Sequence, residues 1–332
     1  MSGQYNTYLS DTNRERLKGI HDKKTSSPEV VARIIAKSIN KKIVNYDRIL
    51  NGEVNEVYNV ELEDGSEVII RIGHDKDQGF EAETWAIKQA KKADVPVANV
   101  LAIGVESEAE KTLHYSIQEK LRGKRFDTLL WAEQISPERA QAITKQAGEI
   151  LARIHSITAT SGYGNTNLQG QGKFANAEAW VKAQLGKRDY FKMLFAANNL
   201  GPDILDAVLA KIEEASTLLT SHPHLLHSDY GPKHIFVGDD DVITGIIDFE
   251  DVESGDSAMD FASWDYWFRD KLPTEWLTAG YQRVASLGNR FSERLTVAQL
   301  HELLDLLDYY TNRAPAPEEA TRASEVIKQL VA

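Results

Sequence analysis

Residues 227–251 read HSDYGPKHIFVGDDDVITGIIDFED. The stretch opens on His-x-Asp, runs through two short apolar segments around an acidic turn, and closes on Asp-Phe-Glu-Asp. Asp239, Asp240 and Asp241 sit where a hairpin must reverse, and aspartate suits turns because its side chain can bond the local backbone. Asp229 and Asp248 are placed differently, since each flanks an apolar strand. With the turn at Gly238–Asp241, His234 begins one strand and Asp248 ends its partner. Antiparallel pairing then brings both to the open end of the hairpin, on the loop that holds Asp229. A carboxylate beside two cation ligands suits phosphoryl transfer: one group orients or deprotonates an attacking hydroxyl while the others hold the cation that neutralises phosphate charge. Two other readings stand beside this one. The histidines and aspartates can be loop and core residues with no shared site. Alternatively, His222, His224 and His227 in HPHLLHSD form the kind of loop cluster that metal hydrolases use, although Pro223 separates the first two and no carboxylate lies among them.

Working outward, the residues before 120 have strand character. VNEVYNVEL and EVIIRIG alternate, with EDGS between them as a hairpin turn. On EVIIRIG, Val68, Ile70 and Ile72 point one way, while Ile69 and Arg71 point the other. The following segment, GFEAETWAIKQAKKAD, has helical spacing that puts Phe80, Glu83, Ile87 and Ala90 on one face. An unpaired carboxylate on that face would be costly. An Arg71–Glu83 pair removes the cost and can clamp nucleotide phosphates; the alternative is a Glu83 at the helix edge in water. Gly52, in LNGEVNEVY, lies in a turn that could cover phosphates. Further upstream, SSPEVVARIIAKSI reads as a helix with Ser27 as N-cap and Pro28 at its first position. Beyond 121 the pattern is mostly helical, with helices over PERAQAITKQAGEILARIHSI and near 176–186, 203–220 and 295–312, and HIFV and VITGIID as the clear strands. The order of elements predicts an α+β protein with a sheet lobe over 1–120 and a mostly helical lobe over 121–332.

Composition bounds the chemistry. The 332-residue chain is 42% hydrophobic and 27% charged, with a net charge of −12 and no cysteine. Disulfides, thiolate nucleophiles and cysteine-ligated zinc are thereby excluded. An acidic surface repels phosphate backbones and anionic lipid, so neither nucleic acid nor membrane is expected as a partner, and a cationic one is. The N-terminal segment lacks the basic and apolar regions of a signal peptide, and no apolar run is long enough to span a bilayer. A cytoplasmic location is expected.

These motifs, in this order, resemble the aminoglycoside phosphotransferase family, whose fold is like that of protein kinases, from about Ile49 to about Tyr281. The family motif is His-x-Asp-x4-Asn followed by a metal-binding Asp. The resemblance implies a two-lobed kinase-like fold, ATP or GTP as phosphoryl donor, and Mg²⁺, with Mn²⁺ as the alternative. It makes Asp229 the catalytic base and Asp248 a metal ligand, and places His234 where the family has Asn. Macrolide phosphotransferases are similar in carrying His there. It also puts Arg71 at the phosphate-contacting position with Glu83 as its partner, and assigns the adenine-binding hinge to Glu119–Leu121 in SIQEKLRG. Imidazole can ligate a cation but Mg²⁺ prefers oxygen, so His234 bears on metal choice. TSGYGNTNLQGQGKFANAEAW is similar to the hygromycin branch. The expected activity is O-phosphorylation of a small molecule, an aminoglycoside first, with a macrolide, sugar or amino alcohol as alternatives and a non-catalytic nucleotide-binding role as the competing class. Glu250, Asp251, Glu253 and Asp256, which follow the metal Asp, are expected to line an acidic mouth for a cationic substrate; the alternative is a solvated surface loop.

Overall fold

A computed structural model describes residues 18–19, 21–22, 24–50, 54–74, 80–109, 111–158 and 160–332. In chain order its elements are α1 (Pro28–Ile39), β1 (Ile43–Ile49), β2 (Glu56–Leu62), β3 (Glu67–Gly73), α2 (Glu81–Lys92), β4 (Val100–Glu108), β5 (Lys111–Glu119), β6 (Lys124–Arg125) and α3 (Phe126–Trp131). The series continues with α4 (Pro137–His155), β7 (Tyr163–Thr166), β8 (Gly172–Phe174), α5 (Ala177–Leu185), α6 (Arg188–Ala197), α7 (Pro202–Leu218) and β9 (His224–Leu226). It closes with β10 (Ile235–Val237), β11 (Ile243–Ile246), β12 (Glu253–Gly255), α8 (Ala258–Phe268), α9 (Thr274–Tyr281), α10 (Phe291–Asp308) and α11 (Pro317–Val331). The fold is α+β, as expected, and forms two compact units.

Of the described residues, the first unit gathers those up to 91 together with those in 96–134 and 235–250. It therefore reaches beyond residue 120 and takes in the 235–250 hairpin, which the sequence order alone assigned to the helical half. Its antiparallel sheet runs β1-β2-β3-β5-β4. The alternation read from EVIIRIG holds: Val68, Ile70 and Ile72 are buried, whereas Ile69 and Arg71 face the opposite side. Helix α1 begins at Pro28, and its Val30, Val31, Ile34 and Ile35 are no more than 1% exposed against the sheet. Each such side chain contributes about 1.5–3 kcal/mol by leaving water. The second, three-stranded sheet of this unit runs β11-β10-β6. Gly123 permits that pairing: its φ is +95°, and a Cβ there would lie 2.1 Å from the Val237 carbonyl oxygen.

The second unit gathers residues 92–95, 135–234 and 251–332. Helices α4, α5, α7 and α10 match the segments expected from periodicity to within a few residues. Ser136 caps α4 by accepting from the Arg139 amide. The main core packs Trp180, Phe191, Phe195, Leu209, Ile212, Leu300 and Leu304. Four short strands, in the order β8-β7-β12-β9, also lie in this unit. Three- and four-residue strands are too short to show a period, and the sequence pattern does not announce them.

Candidate active site

The β10–β11 register pairs Ile235 with Ile246. His234 is not the first strand residue as expected; it ends a 3-10 turn, Pro232–His234, directly before β10. Asp248 likewise lies two residues past the end of β11. The hairpin turn closes through Gly238 N to Val242 O at 2.8 Å. Asp248 and Ser228 both hold positive φ, +72° and +67°. Non-glycine residues in this region cost free energy, and such positions concentrate at functional sites.

Within the first unit, Arg71 is the centre of an ionic cluster. Its Nη1 donates to Glu83 Oε1, and its Nη2 donates to Asp248 Oδ1 at 3.1 Å and to Glu250 Oε2. Asn55 Nδ2 donates to the same Glu250 oxygen at 2.9 Å. The Phe80 ring centroid lies 5.4 Å from the guanidinium carbon. Glu83 is only 3% exposed, so the helix-edge alternative is excluded by its burial and by its bond to Arg71. Burial opposes the charge of Arg71, but the adjacent Glu83, Asp248 and Glu250 carboxylates outweigh it and hold the guanidinium protonated. Burial pushes the Glu83 carboxyl up, against the pull of Arg71. Of the hinge residues, Glu119 ends β5, its amide bonding Asn99 O at 3.0 Å. Leu121 lies flat over Gly245, where a Cβ would meet its Cδ1 at 2.3 Å. Gly52 lies outside the described residues.

Within the second unit, the Asp229 carboxylate is 37% exposed and accepts from Lys233 Nζ at 2.7 Å. His234 Nδ1 is 2.8 Å from the Asp229 backbone carbonyl. A carbonyl only accepts, so Nδ1 carries the proton of this bond. The loop is fixed from beneath by Asp260 of α8, a residue that the motifs did not single out. Its carboxylate accepts from the His227 amide at 2.9 Å, the Ser228 amide at 2.7 Å and His155 Nε2 at 2.9 Å. Burial alone would raise the Asp260 carboxyl; the His155 hydrogen bond and the neighbouring charges and amide donors lower it below the ordinary value instead. His155 is 2% exposed, with its two ring nitrogens bonded to Asp260 and to the Tyr281 hydroxyl.

The expected acidic mouth divides. Glu250 is engaged by Arg71 and Asn55. Asp251 is exposed and Glu253 partly buried. Asp256 does not line a mouth: it is 0% exposed, bonds the Thr220 and Ala258 amides, and pairs with buried Arg294. In its place the structure brings Glu302 and Asp305 of α10 near Glu253. Burial, reinforced by Asp305, pushes Glu253 and Glu302 both up to about 7. The signal for the α10 residues was weak, two acids three apart in HELLDLLD, on a helix whose stripe is otherwise apolar.

The histidine-cluster reading finds no common centre. His222 bonds Ser221 at 3.1 Å, and His224 Nδ1 donates to the His155 carbonyl at 2.6 Å. The His227 ring stacks on His234 with centroids 5.8 Å apart. No helix among the described residues is long and apolar enough to cross a membrane.

Comparison with known proteins bears on the fold and the family. The structure is similar to that of aminoglycoside phosphotransferase APH(4)-Ia, with a TM-score of 0.72, 19% identity, and coverage of 92% of this chain and 98% of that one. A fructosamine-3-kinase homologue from Thermobifida fusca gives a TM-score of 0.62 at 17% identity, covering 91% of this chain and 100% of that one. Macrolide 2'-phosphotransferase MphH from Brachybacterium faecium gives 0.55 at 15% identity, covering 89% and 97%. No curated protein matches the sequence at a significant level. The model of the phosphotransferase enzyme family matches residues 46–288, and so spans both the Arg71 cluster and the His227–Asp229 loop. By that match the chain belongs to the phosphotransferase enzyme family, with the kinase-like fold that its motifs led us to expect.

Proposed function

We propose that the protein transfers the γ-phosphoryl group of ATP to a hydroxyl of a cationic small molecule, with an aminoglycoside as the first candidate class. The observation that carries this reading is Arg71, a largely enclosed guanidinium held charged between Glu83 and Asp248. Such a group can contact the phosphates of a bound nucleotide as a fixed, permanently charged donor. The hydroxyl oxygen attacks the γ-phosphorus, the bond to the β-phosphate bridging oxygen breaks, and the hydroxyl proton passes to Asp229. Asp229 fits that role because its carboxylate is accessible while its backbone is pinned by His234.

A divalent cation neutralises the phosphate charge in this chemistry. His234 and Asp248 are its proposed ligands. The Nδ1–H of His234 is given to a carbonyl, so Nε2 is the ring nitrogen proposed as the metal ligand. A nitrogen and a carboxylate together fit Mn²⁺ at least as well as Mg²⁺.

For the substrate, Glu253, Glu302 and Asp305 gather three acids whose crowding either a proton or a bound cation relieves. A solved structural neighbour is complexed with ADP and hygromycin B, and another with GDP and kanamycin, which supports a purine nucleotide and an amine-rich acceptor. Glu119 and Leu121 are the proposed adenine contacts. The test is ADP release with Mg-ATP and with Mn-ATP against aminoglycosides, macrolides, and small sugars and amino alcohols. Turnover on an aminoglycoside that falls steeply with salt supports the reading, since exposed attraction is screened. Salt-insensitive turnover on a macrolide would replace the substrate class. Absence of nucleotide binding would remove the activity itself.

A further inference from the structure

The Arg71 cluster contains one more carboxylate than a phosphate clamp requires. Glu83 takes Nη1. Asp248 and Glu250 share Nη2, which has two protons to give, so both are in use. Three carboxylates therefore face one guanidinium. They are not equivalent in how they are held. Glu83 is 3% exposed and locked in the helix face, whereas the Glu250 side chain is 23% exposed. Beyond Arg71, Glu250 is tied to Asn55, the residue just before β2, through Nδ2 at 2.9 Å.

An incoming phosphate oxygen seeks the same two donors that Glu250 now occupies, Arg71 Nη2 and Asn55 Nδ2. A carboxylate oxygen and a phosphate oxygen are interchangeable acceptors for an N–H of this kind. We propose that Glu250 is an internal competitor for the nucleotide phosphates: it fills the Arg71–Asn55 acceptor position in the nucleotide-free protein and is displaced when a nucleoside di- or triphosphate binds. This rests on Arg71 being the phosphate contact. Its consequence is a nucleotide affinity set below what the donors could deliver, because binding must first break the contacts of Glu250. In exchange, the half-buried Arg71 is never left with an empty Nη2.

The decisive measurement is calorimetric binding of ADP and of adenosine, in excess EDTA so that no cation contributes, to the wild type, Glu250→Gln, Glu250→Ala and Arg71→Ala. Glu250→Gln keeps the shape and removes the charge. It should tighten ADP by about threefold to tenfold and leave adenosine unchanged, since adenosine has no phosphate. Glu250→Ala should tighten ADP in the same sense, so the result does not depend on one variant folding. Weaker or unchanged ADP binding in both Glu250 variants, with Arg71→Ala also weakened, would overturn the competitor and leave Glu250 as a support for Arg71. Unchanged ADP binding in Arg71→Ala would instead remove the phosphate contact on which the proposal stands. Tightening of adenosine along with ADP would show a general effect on the fold and would overturn it too.

Discussion

The carboxylate of Asp260 accepts the backbone amide proton of Ser228 at 2.7 Å, one residue before Asp229. Its other oxygen takes the His227 amide and His155 Nε2. A single buried charge thus sets the path of the loop and allows Ser228 its positive φ. Asp260→Ala leaves two amides and an imidazole without their acceptor. It should destabilise the protein by about 3–5 kcal/mol, read as a shift in the urea midpoint. Asp260→Asn keeps one acceptor oxygen, so it should fold, with lower kcat and a nearly unchanged KM for nucleotide. A kcat equal to the wild type would mean that the loop is positioned by other contacts.

Asp229 is placed to take the acceptor's proton. Asp229→Ala should lower kcat by about 10²–10⁴-fold while nucleotide affinity, measured by calorimetry, stays within experimental scatter. Substantial turnover in this variant would remove Asp229 as the base.

His234 stands where an oxygen ligand is usual for Mg²⁺. His234→Asn should raise turnover with Mg²⁺ relative to Mn²⁺, because an amide oxygen replaces an imidazole nitrogen. Steady-state rates with each cation at saturation give the ratio. An unchanged ratio would indicate that the side chain at 234 serves the loop alone, through its bond to the Asp229 carbonyl.

Glu302 titrates at about 7 in the folded protein against an ordinary value of 4.5, chiefly through burial and then through Asp305. Between those values the native state holds the extra proton, so stability falls as pH rises from 4.5 to about 7 and is level above. Glu302→Gln removes this slope. The variant should unfold at a higher temperature than the wild type at pH 8, by the equivalent of about 1 kcal/mol after allowance for solvent screening, and at nearly the same temperature at pH 4.5. Scanning calorimetry at the two pH values checks it. Equal differences at both would place the effect in packing and not in charge.

Much of this site could be read from the chain alone. Strand alternation put Arg71 opposite Ile70 and Ile72, and helical spacing put Glu83 on the buried face with Phe80, Ile87 and Ala90. Turn chemistry at 238–241 placed Asp248 and His234 at one end of a hairpin. Those readings depend on periods of two and 3.6 residues and on tight turns, and such properties are local. The hairpin's limits were off by one or two residues, because a 3-10 turn and a left-handed aspartate leave no periodic trace.

The sequence by itself determined the two kinds of segment, the helix face that carries Glu83 and the order of the His-x-Asp, His and Asp motif. The tertiary structure alone decided which acids do what. Asp256 and Glu250 lie six residues apart, yet one is sealed against Arg294 and the other reaches Arg71, 179 positions away. Asp260 became the anchor of the His227–Asp229 loop, and Glu302 joined Glu253, through contacts between distant elements. A carboxylate has the same composition and similar propensity at every one of these positions. Its role is set by the desolvation and the charges that folding places around it, and these are not properties of its neighbours in sequence.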